Sequence, residues 1–283
     1  MDLGRQRVNE LLVEAAERLE AAGSESPRLD AEVLLADILG IDRSGLVAHP
    51  EAVLSTAQQE AFASHIERRE AGEPVAYIRG MKEFYGSAIS VDRRVLIPRP
   101  ETETLVELAL ARITADLTGA PRDTNDPYLV WDVGTGSGAI PVAIAGELRR
   151  RRYGDAVRFF VSDISGDARD VATLNVVAHG LAHLFIFAEG DLLEVAPAAS
   201  GPVDLLLANL PYIPAAMVPD LPVAASYEPV GALDGGPDGL DVIRRLLPRA
   251  PEVVSPGGAT RSRPAPPSAT ASAAASARRR RRL

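Results

Sequence analysis

The segment Asp132-Val-Gly-Thr-Gly-Ser-Gly138 follows the apolar run Tyr128–Val133 and precedes a helical pattern over Ala139–Leu148. Its three glycines let the backbone turn tightly and approach a ligand, and the helix that follows presents free N–H groups. No Lys-Ser/Thr pair follows the glycines, so the turn is not a phosphate-binding P-loop. Because Asp132 precedes the first glycine, the turn favours a cationic or ammonium-bearing ligand over a phosphate.

Strand and helix patterns alternate around this turn. A helix is predicted over Glu101–Leu117, and another over Asp167–His179. Further strands are predicted at Val157–Val161, Leu184–Phe187 and Val203–Ala208, the last nearly continuous in apolar residues and so buried on both faces. This alternation predicts an α/β fold with a parallel sheet and helices on both sides.

Polar residues follow three of these strands, at the edge where open parallel sheets bind ligands. Asp163 ends the second strand, where an acid accepts hydrogen bonds from ribose hydroxyls. Asp191-Leu192 follows the third strand, in a position to contact the edge and face of an adenine. Together with the glycine turn, these residues predict a ligand that carries a nucleoside.

The segment Asn209-Leu210-Pro211-Tyr212 follows the fourth strand and predicts a slot for a planar group that carries an NH2. The Asn209 side-chain oxygen and the Leu210 backbone carbonyl can each accept one N–H of that group. Pro211 makes the turn rigid, and the Tyr212 ring covers the face of the group. No residue in the motifs is an obvious general base, so we expect the proton to leave to water.

The amino-terminal part reads differently, with a helical pattern over residues 5–71. The first helix buries one face, and the second begins near Pro27; a third runs from Thr56 to about Ala71. The predicted apolar faces are Val8, Leu11, Leu12, Ala15 and Leu19 in the first helix, and Leu29, Val33, Leu34 and Ile38 in the second. Short strands or a hairpin are predicted within residues 75–98, at Tyr77-Ile78, Phe84-Tyr85 and Ala88-Ile89.

Composition excludes several classes of protein. The 283 residues include no cysteine, which excludes disulfides, thiolate metal sites and cysteine nucleophiles, and we predict no metal ion. No signal peptide or membrane-spanning run is visible, which predicts a cytoplasmic protein. The net charge of −9 includes seven Arg after residue 260, so residues 1–260 hold 23 basic against 39 acidic residues, a net −16. We therefore expect no direct nucleic-acid partner, because phosphate binding needs clustered cations.

Three stretches together resemble a known family: Val95-Leu-Ile-Pro-Arg-Pro-Glu-Thr-Glu103, the Asp132–Gly138 turn and Asn209–Tyr212. They resemble the release factor glutamine methyltransferases of the PrmC/HemK type, within the class I S-adenosylmethionine-dependent methyltransferases. The segment Tyr227–Leu240 is similar to the family's sequence after the slot. The resemblance implies a Rossmann-like sheet, S-adenosyl-L-methionine as cofactor and a monomer. It also implies methylation of the glutamine side chain in the Gly-Gly-Gln motif of class I peptide chain release factors.

The resemblance also assigns domains and site residues. It implies a helical release-factor-docking domain (1–73) and a methyltransferase domain (101–259), with a predicted β-hairpin linker (74–100) between them. The Ala/Ser/Pro/Arg composition of the tail (260–283) predicts disorder. The implied cofactor contacts are Gly134, Thr135, Gly136, Ser137, Gly138, Asp163, Asp191, Leu192 and Asn209. The implied substrate contacts are Asn209, Leu210, Pro211 and Tyr212, of which Asn209 and Tyr212 are the catalytic residues.

Two departures from the family leave alternatives open. Leu210 stands where the family usually has proline, and the resulting Asn-Leu-Pro-Tyr also resembles adenine-N6 methyltransferases that act on RNA. The second departure follows Pro256-Gly257-Gly258. In the family this segment leads into a fifth strand and then two more strands, whereas in this chain it leads into the tail. A truncation or a shifted reading frame is a plausible cause. We therefore expect the Val203–Ala208 strand to be an open edge with Leu205, Leu206 and Leu207 partly uncovered. A poorly stable, weakly active chain or a release-factor-binding module is then the alternative, and Arg278–Arg282 is expected to be a solvated terminus.

Overall fold

The computed structural model describes residues 7–195 and 201–262. The chain forms two compact units. The first comprises Met1–Glu83, Ala88–Ile97 and Asp220–Pro229, and the second comprises Phe84–Ser87, Pro98–Pro219 and Val230–Leu283. The assignment of Asp220–Pro229 to the first unit was not anticipated, and the predicted domain boundaries and roles stay predictions.

The first unit is helical. Its first helix buries the face that the sequence predicts: Val8, Leu11, Leu12, Ala15 and Leu19. The fourth begins after Ser55, whose hydroxyl accepts the backbone N–H of Gln58. The five helices are α1 (Val8–Ala21), α2 (Pro27–Leu39), α3 (Arg43–Ala48), α4 (Thr56–Glu70) and α5 (Val75–Arg79).

Helix α2 corrects the predicted apolar face. Leu29 is 43% exposed, whereas Ala31, Leu34 and Leu35 are buried. Buried on the same helix is Asp30, whose carboxylate accepts hydrogen bonds from Arg69 and from the hydroxyls of Ser24 and Ser26. Because these partners satisfy the charge, an acid can occupy a position that hydrophobic periodicity assigns to an apolar residue.

The predicted strand at Tyr77-Ile78 is wrong, because both residues lie in α5. This short helix follows Pro74 and ends at Gly80, which has a left-handed φ of 70°. A hairpin follows, made of β1 (Met81–Phe84) and β2 (Ser87–Ser90). Its turn has φ of 49° at Tyr85 and 69° at Gly86, the geometry that two-residue hairpin loops prefer.

The second unit is a five-stranded parallel sheet with helices, which confirms the α/β class. The strand order is β5-β4-β3-β6-β7, so the central strand β3 has the next strand in the chain on one side and a later strand on the other. The elements are α6 (Glu103–Gly119), β3 (Tyr128–Val133), α7 (Ala139–Arg150), β4 (Val157–Asp163), α8 (Gly166–Ala178), β5 (Phe185–Glu189), β6 (Val203–Ala208), α9 (Asp241–Leu246), α10 (Ala250–Val253) and β7 (Val254–Ser262).

The predicted open edge at β6 is wrong. Strand β7 pairs with β6 in parallel, and Leu205, Leu206 and Leu207 are fully buried. Residues 260–262, assigned to the tail from the sequence, belong to this strand. Strand pairing uses backbone groups, so small residues such as Ala259, which is 7% exposed, can form the strand without β-branched side chains. The rest of the predicted tail, including Arg278–Arg282, lies outside the described residues.

Within the two described ranges, no helix combines the length and the apolar character that a membrane crossing requires.

The pairing of β7 with β6 predicts the effect of a charge at Ala259. We expect Ala259→Asp to lower the free energy of unfolding by about 3 kcal/mol, because it buries an unpaired carboxylate against Leu205. Urea titration measures this change. Pro256→Asp is the control, because Pro256 is exposed in the same strand and a charge there stays in water. Equal stability of both variants would show that β7 does not cover β6.

Candidate functional site

The carboxyl ends of four strands meet at one edge of the sheet. Val133 at the end of β3 pairs with Ser162 in β4 and with Ala208 in β6. Asp163 at the end of β4 pairs with Glu189 at the end of β5. The predicted site residues follow these strand ends, so the topology brings all of them to the same edge. The strand order reverses at β3, between β4 and β6, where open α/β sheets form a ligand crevice.

The glycine turn is fixed by the end of β4. The amides of Gly134 and Thr135 both donate to the Ser162 carbonyl, at 2.8 and 3.0 Å. The glycines at 134, 136 and 138 have φ of 69°, 55° and 74°, a region that costs other residues about 1–2 kcal/mol. A Cβ on residue 134 would also lie 3.2 Å from Leu210 Cδ2, whereas one on Gly136 would meet no atom within 4 Å. The backbone at Gly136 therefore has open space beside it.

Helix α8 packs closely against this turn. A Cβ on Gly138 would lie 3.1 Å from the Cβ of Ala172, so the third glycine permits the approach of the two helices. The buried side-chain amide of Asn175 donates to the Ser137 carbonyl at 2.9 Å. The sequence prediction missed Asn175, because nothing in the local pattern distinguishes it from a solvated residue of an amphipathic helix.

Asp132 is completely buried beneath the turn. Neither of its carboxylate oxygens, nor the Thr135 hydroxyl, has a partner at normal hydrogen-bond geometry within residues 7–195 and 201–262. The pKa of Asp132 is raised to about 7, mainly by burial and to a smaller extent by the nearby Asp163 carboxylate. A cationic group bound at the turn would stabilise the ionised form, which agrees with the ligand charge that the sequence predicts.

Asp163 has a structural role that the sequence did not reveal. Its Oδ2 accepts the N–H of Gly136 at 2.9 Å, and its Oδ1 accepts the N–H of Ser165 at 3.0 Å. Burial raises the pKa of Asp163, and these backbone donors oppose that shift. Each oxygen retains a second acceptor position, so a ribose hydroxyl can still be bound while the carboxylate holds the turn.

The turn after β5 carries the predicted adenine contacts. Asp191 Oδ2 accepts a hydrogen bond from Arg245 of α9 at 2.5 Å. Leu192 has φ of 49°, a strained conformation for a leucine, and its buried side chain packs in a cluster with Leu193 and Leu246. Strain that is held by a packed core at a strand end is typical of ligand sites.

The slot after β6 contains an orphaned acceptor. Asn209 Oδ1 is buried and has no hydrogen-bond partner among the residues that the structure describes. The next side chain, Leu210, is 9% exposed and packs in the cluster that contains Trp131 and Val133. This packing anchors the position where the family usually has proline, so the slot keeps a fixed backbone.

Residues 233–239 form a backbone wall behind Tyr212. Ile213 donates its N–H to the Leu233 carbonyl and accepts the N–H of Gly235, at 3.0 and 2.8 Å. A Cβ on Gly239 would lie 2.3 Å from the Tyr212 carbonyl oxygen, and one on Gly235 would lie 2.8 Å from its Cα. Only glycine fits at these two positions. Sequence analysis assigned these residues no role, although the closely spaced glycines were the available signal.

Orphaned polar atoms and open space therefore lie where the sequence places a nucleoside-bearing cation and an amide. The residues present fit S-adenosylmethionine: acceptors at Asp132, Asp163 and Asp191, and room at Gly136. The role of each individual residue remains a prediction.

The raised pKa of Asp132 predicts a pH-dependent stability. An acid whose pKa is raised by folding stabilises the folded state at low pH, and this contribution is lost as pH rises from about 4 to about 7. Asp132→Asn removes the titration. We therefore expect its free energy of unfolding, relative to wild type, to rise by roughly 3 kcal/mol between pH 5 and pH 8. Urea titration at both pH values measures the change.

Asp167→Asn is the matched control for this experiment, because Asp167 is exposed in the first turn of α8. Its stability relative to wild type should be the same at both pH values. The same pH-independent difference for Asp132→Asn would contradict the raised pKa.

Comparisons with known proteins find similar sequences over most of the chain. The family described as the PrmC N-terminal domain matches residues 10–80. The chain is 42% identical over 251 residues to a release factor glutamine methyltransferase of Moorella thermoacetica, covering 89% of this chain and 83% of that protein. It is 40% identical over 245 residues to one of Bradyrhizobium diazoefficiens, covering 86% and 77%.

Among solved structures, an RNA methyltransferase from Salinibacter ruber in complex with S-adenosyl-L-homocysteine is 21% identical, with a TM-score of 0.36. The similarity covers 59% of this chain and 76% of that chain. The family of the chain follows from its sequence relatives. Because their identity of 40% or more extends over most of both chains, this chain belongs to the release factor glutamine methyltransferase family.

Proposed function

We propose that the chain transfers a methyl group from S-adenosyl-L-methionine to the side-chain amide nitrogen of a glutamine, in the Gly-Gly-Gln motif of class I peptide chain release factors. Its place is then translation termination, by protein methylation in the cytoplasm, with the chain acting as a monomer. Family membership supports the reaction. The observation that carries the proposal is the buried Asn209 Oδ1 at the switch point beside the glycine turn, which has no partner among the described residues.

S-adenosylmethionine supplies a methyl group on a positively charged sulfur, which is already activated for transfer. The chain's contribution is to bind and orient. The amides of the turn Gly134–Gly138 would hold the charged amino-acid half, with the buried Asp132 carboxylate balancing its positive charge from beneath the turn, and Asp163 would accept from the ribose. Asp191 and Leu192 would hold the adenine. The helical first unit docks the release factor.

The slot must compensate for a weak nucleophile. The lone pair of an amide nitrogen is delocalised into its carbonyl, so the nitrogen attacks only when it is well oriented. Acceptance of its two N–H groups by Asn209 Oδ1 and the Leu210 carbonyl fixes the nitrogen toward the methyl group. The same acceptors stabilise the positive charge that develops on the nitrogen. Tyr212 covers the amide plane, Pro211 keeps the turn rigid, and the proton leaves to water.

Two alternatives are less well supported. An adenine-N6 methyltransferase acting on RNA would use a similar slot, but residues 1–260 carry a net charge of −16, which opposes phosphate binding. A catalytically impaired binding module was considered because the family's C-terminal strands were expected to be absent and to leave β6 as an open edge. Strand β7 pairs with β6, so the open edge no longer supports this alternative.

Transfer of labelled methyl from S-adenosylmethionine to a purified release factor tests the proposal. We expect label to enter wild-type release factor and to be lost when the glutamine of its Gly-Gly-Gln motif is replaced. Asn209→Ala should lower kcat about 100-fold or more, because it removes one acceptor that acts on the reacting nitrogen. Calorimetry on the same variant should show a much smaller change in cofactor affinity.

Asn125→Ala is the matched control, because Asn125 is an exposed amide in the loop before β3. It should keep wild-type kcat. Label that enters RNA instead of the release factor, or full activity of Asn209→Ala, would contradict the proposal.

A further inference from the structure

Two consecutive arginines on α9 make different contacts. Arg244 pairs with Asp238, six residues earlier, through two hydrogen bonds of 2.7 and 2.6 Å. Arg245 instead contacts a residue 54 positions earlier in the chain, and its Nη2 donates a hydrogen bond to Asp191 Oδ2. The two side chains are 56% and 55% exposed. Of this pair, only Arg245 contacts the turn after β5, which the proposed function assigns to the adenine.

The ion pair leaves half of the Asp191 carboxylate free. Oδ2 is engaged by Arg245, whereas Oδ1 has no partner within the described ranges. A guanidinium is a rigid, planar donor, so it fixes the orientation of a carboxylate that it binds. Arg245 therefore holds Asp191 with one oxygen available to accept an N–H from a ligand.

The residues next to this ion pair are packed in a hydrophobic cluster. Leu246, which follows Arg245, is buried in the same hydrophobic cluster as Leu192 and Leu193 of the turn. The amide of Leu192 makes no hydrogen bond to any described residue, and the packing of the cluster holds the residue at its positive φ of 49°. The turn therefore offers an acceptor at Asp191 and a donor at Leu192 side by side. This pair is complementary to an aromatic ring that carries an amino group beside a ring nitrogen.

We propose that Arg245 is a positioning residue for the adenine of the cofactor, acting through Asp191. The inference rests on the proposed function, because it concerns the binding of the same cofactor. Arg245 does not touch the reacting atoms; it holds the Asp191 carboxylate so that Oδ1 accepts the exocyclic N–H of adenine. Arg244, with the same exposure and an ion pair of its own, has no part in this contact.

Calorimetry with S-adenosyl-L-homocysteine tests the inference on Arg245→Gln and on the matched variant Arg244→Gln. We expect Arg245→Gln to raise Kd about 3- to 5-fold, the range of an exposed, well-oriented ion pair. Arg244→Gln should leave Kd within about 2-fold of wild type, while both variants have similar thermal transitions. Arg245→Lys should recover part of the affinity, because it retains the charge without the planar donor.

The purine riboside analogue of the ligand separates positioning from a general loss of structure. This analogue has a hydrogen in place of the exocyclic amine, so it offers no N–H to Asp191 Oδ1 while its ring N1 remains an acceptor for the Leu192 amide. Wild type and Arg245→Gln should therefore bind it with nearly equal Kd.

The outcomes are distinct. An unchanged Kd in Arg245→Gln, an equal loss in Arg244→Gln, or an equal loss with the purine riboside analogue would each overturn the inference alone. Tighter binding by Arg245→Gln would also overturn it, since Arg245 would then compete with the adenine. Failure of the folded wild-type chain to bind the adenosyl ligand would overturn the proposed function and this inference with it.

Discussion

The hydrogen bond from the Gly136 amide to the Asp163 carboxylate joins the ends of two neighbouring strands, and the site depends on it. With the Ser162 carbonyl, which accepts two more amides, it fixes a turn that would otherwise have the freedom of three glycines. This glycine turn then determines where α7 starts and where the open space beside Gly136 lies. A single carboxylate thus stabilises the turn and offers its remaining lone pairs to a ligand. Replacement of Asp163 would therefore alter both roles at once.

Beneath the turn, the chain retains a group that destabilises it. Asp132 is fully buried with a pKa of about 7, and Asn209 Oδ1 is buried with no partner in the part of the chain that the structure describes. Polar atoms of this kind cost free energy in the isolated protein, and acids with a strongly raised pKa cluster at functional sites. The bound cation and the substrate amide supply the missing partners in our proposal. The packing of Leu210 and the backbone wall of residues 233–239 hold the slot in place before the ligands bind.

Sequence patterns correctly predicted the elements whose apolar residues are also the buried residues. The face of α1 and the continuous apolar run of β6 are examples. The motif residues were correctly placed at the strand ends. The failures share a physical cause, which is contact between residues far apart in sequence. The burial of Asp30 depends on its ion pair with Arg69. Strand β7 depends on backbone pairing, which its Gly-Ala-Thr sequence does not indicate. Asn175 and Arg245 reach the site over 38 and 54 residues, so no local pattern could have identified them.

A crystal structure of the chain with S-adenosyl-L-homocysteine tests the central assignment most directly, because it locates every part of the ligand at once. We predict the amino-acid half over Gly134–Gly138, the ribose at Asp163, the adenine at Asp191-Leu192 and the sulfur facing Asn209. Ligand density at another edge of the sheet, or a sulfur that points away from Asn209, would contradict the assignment of this crevice as the methyl-transfer site.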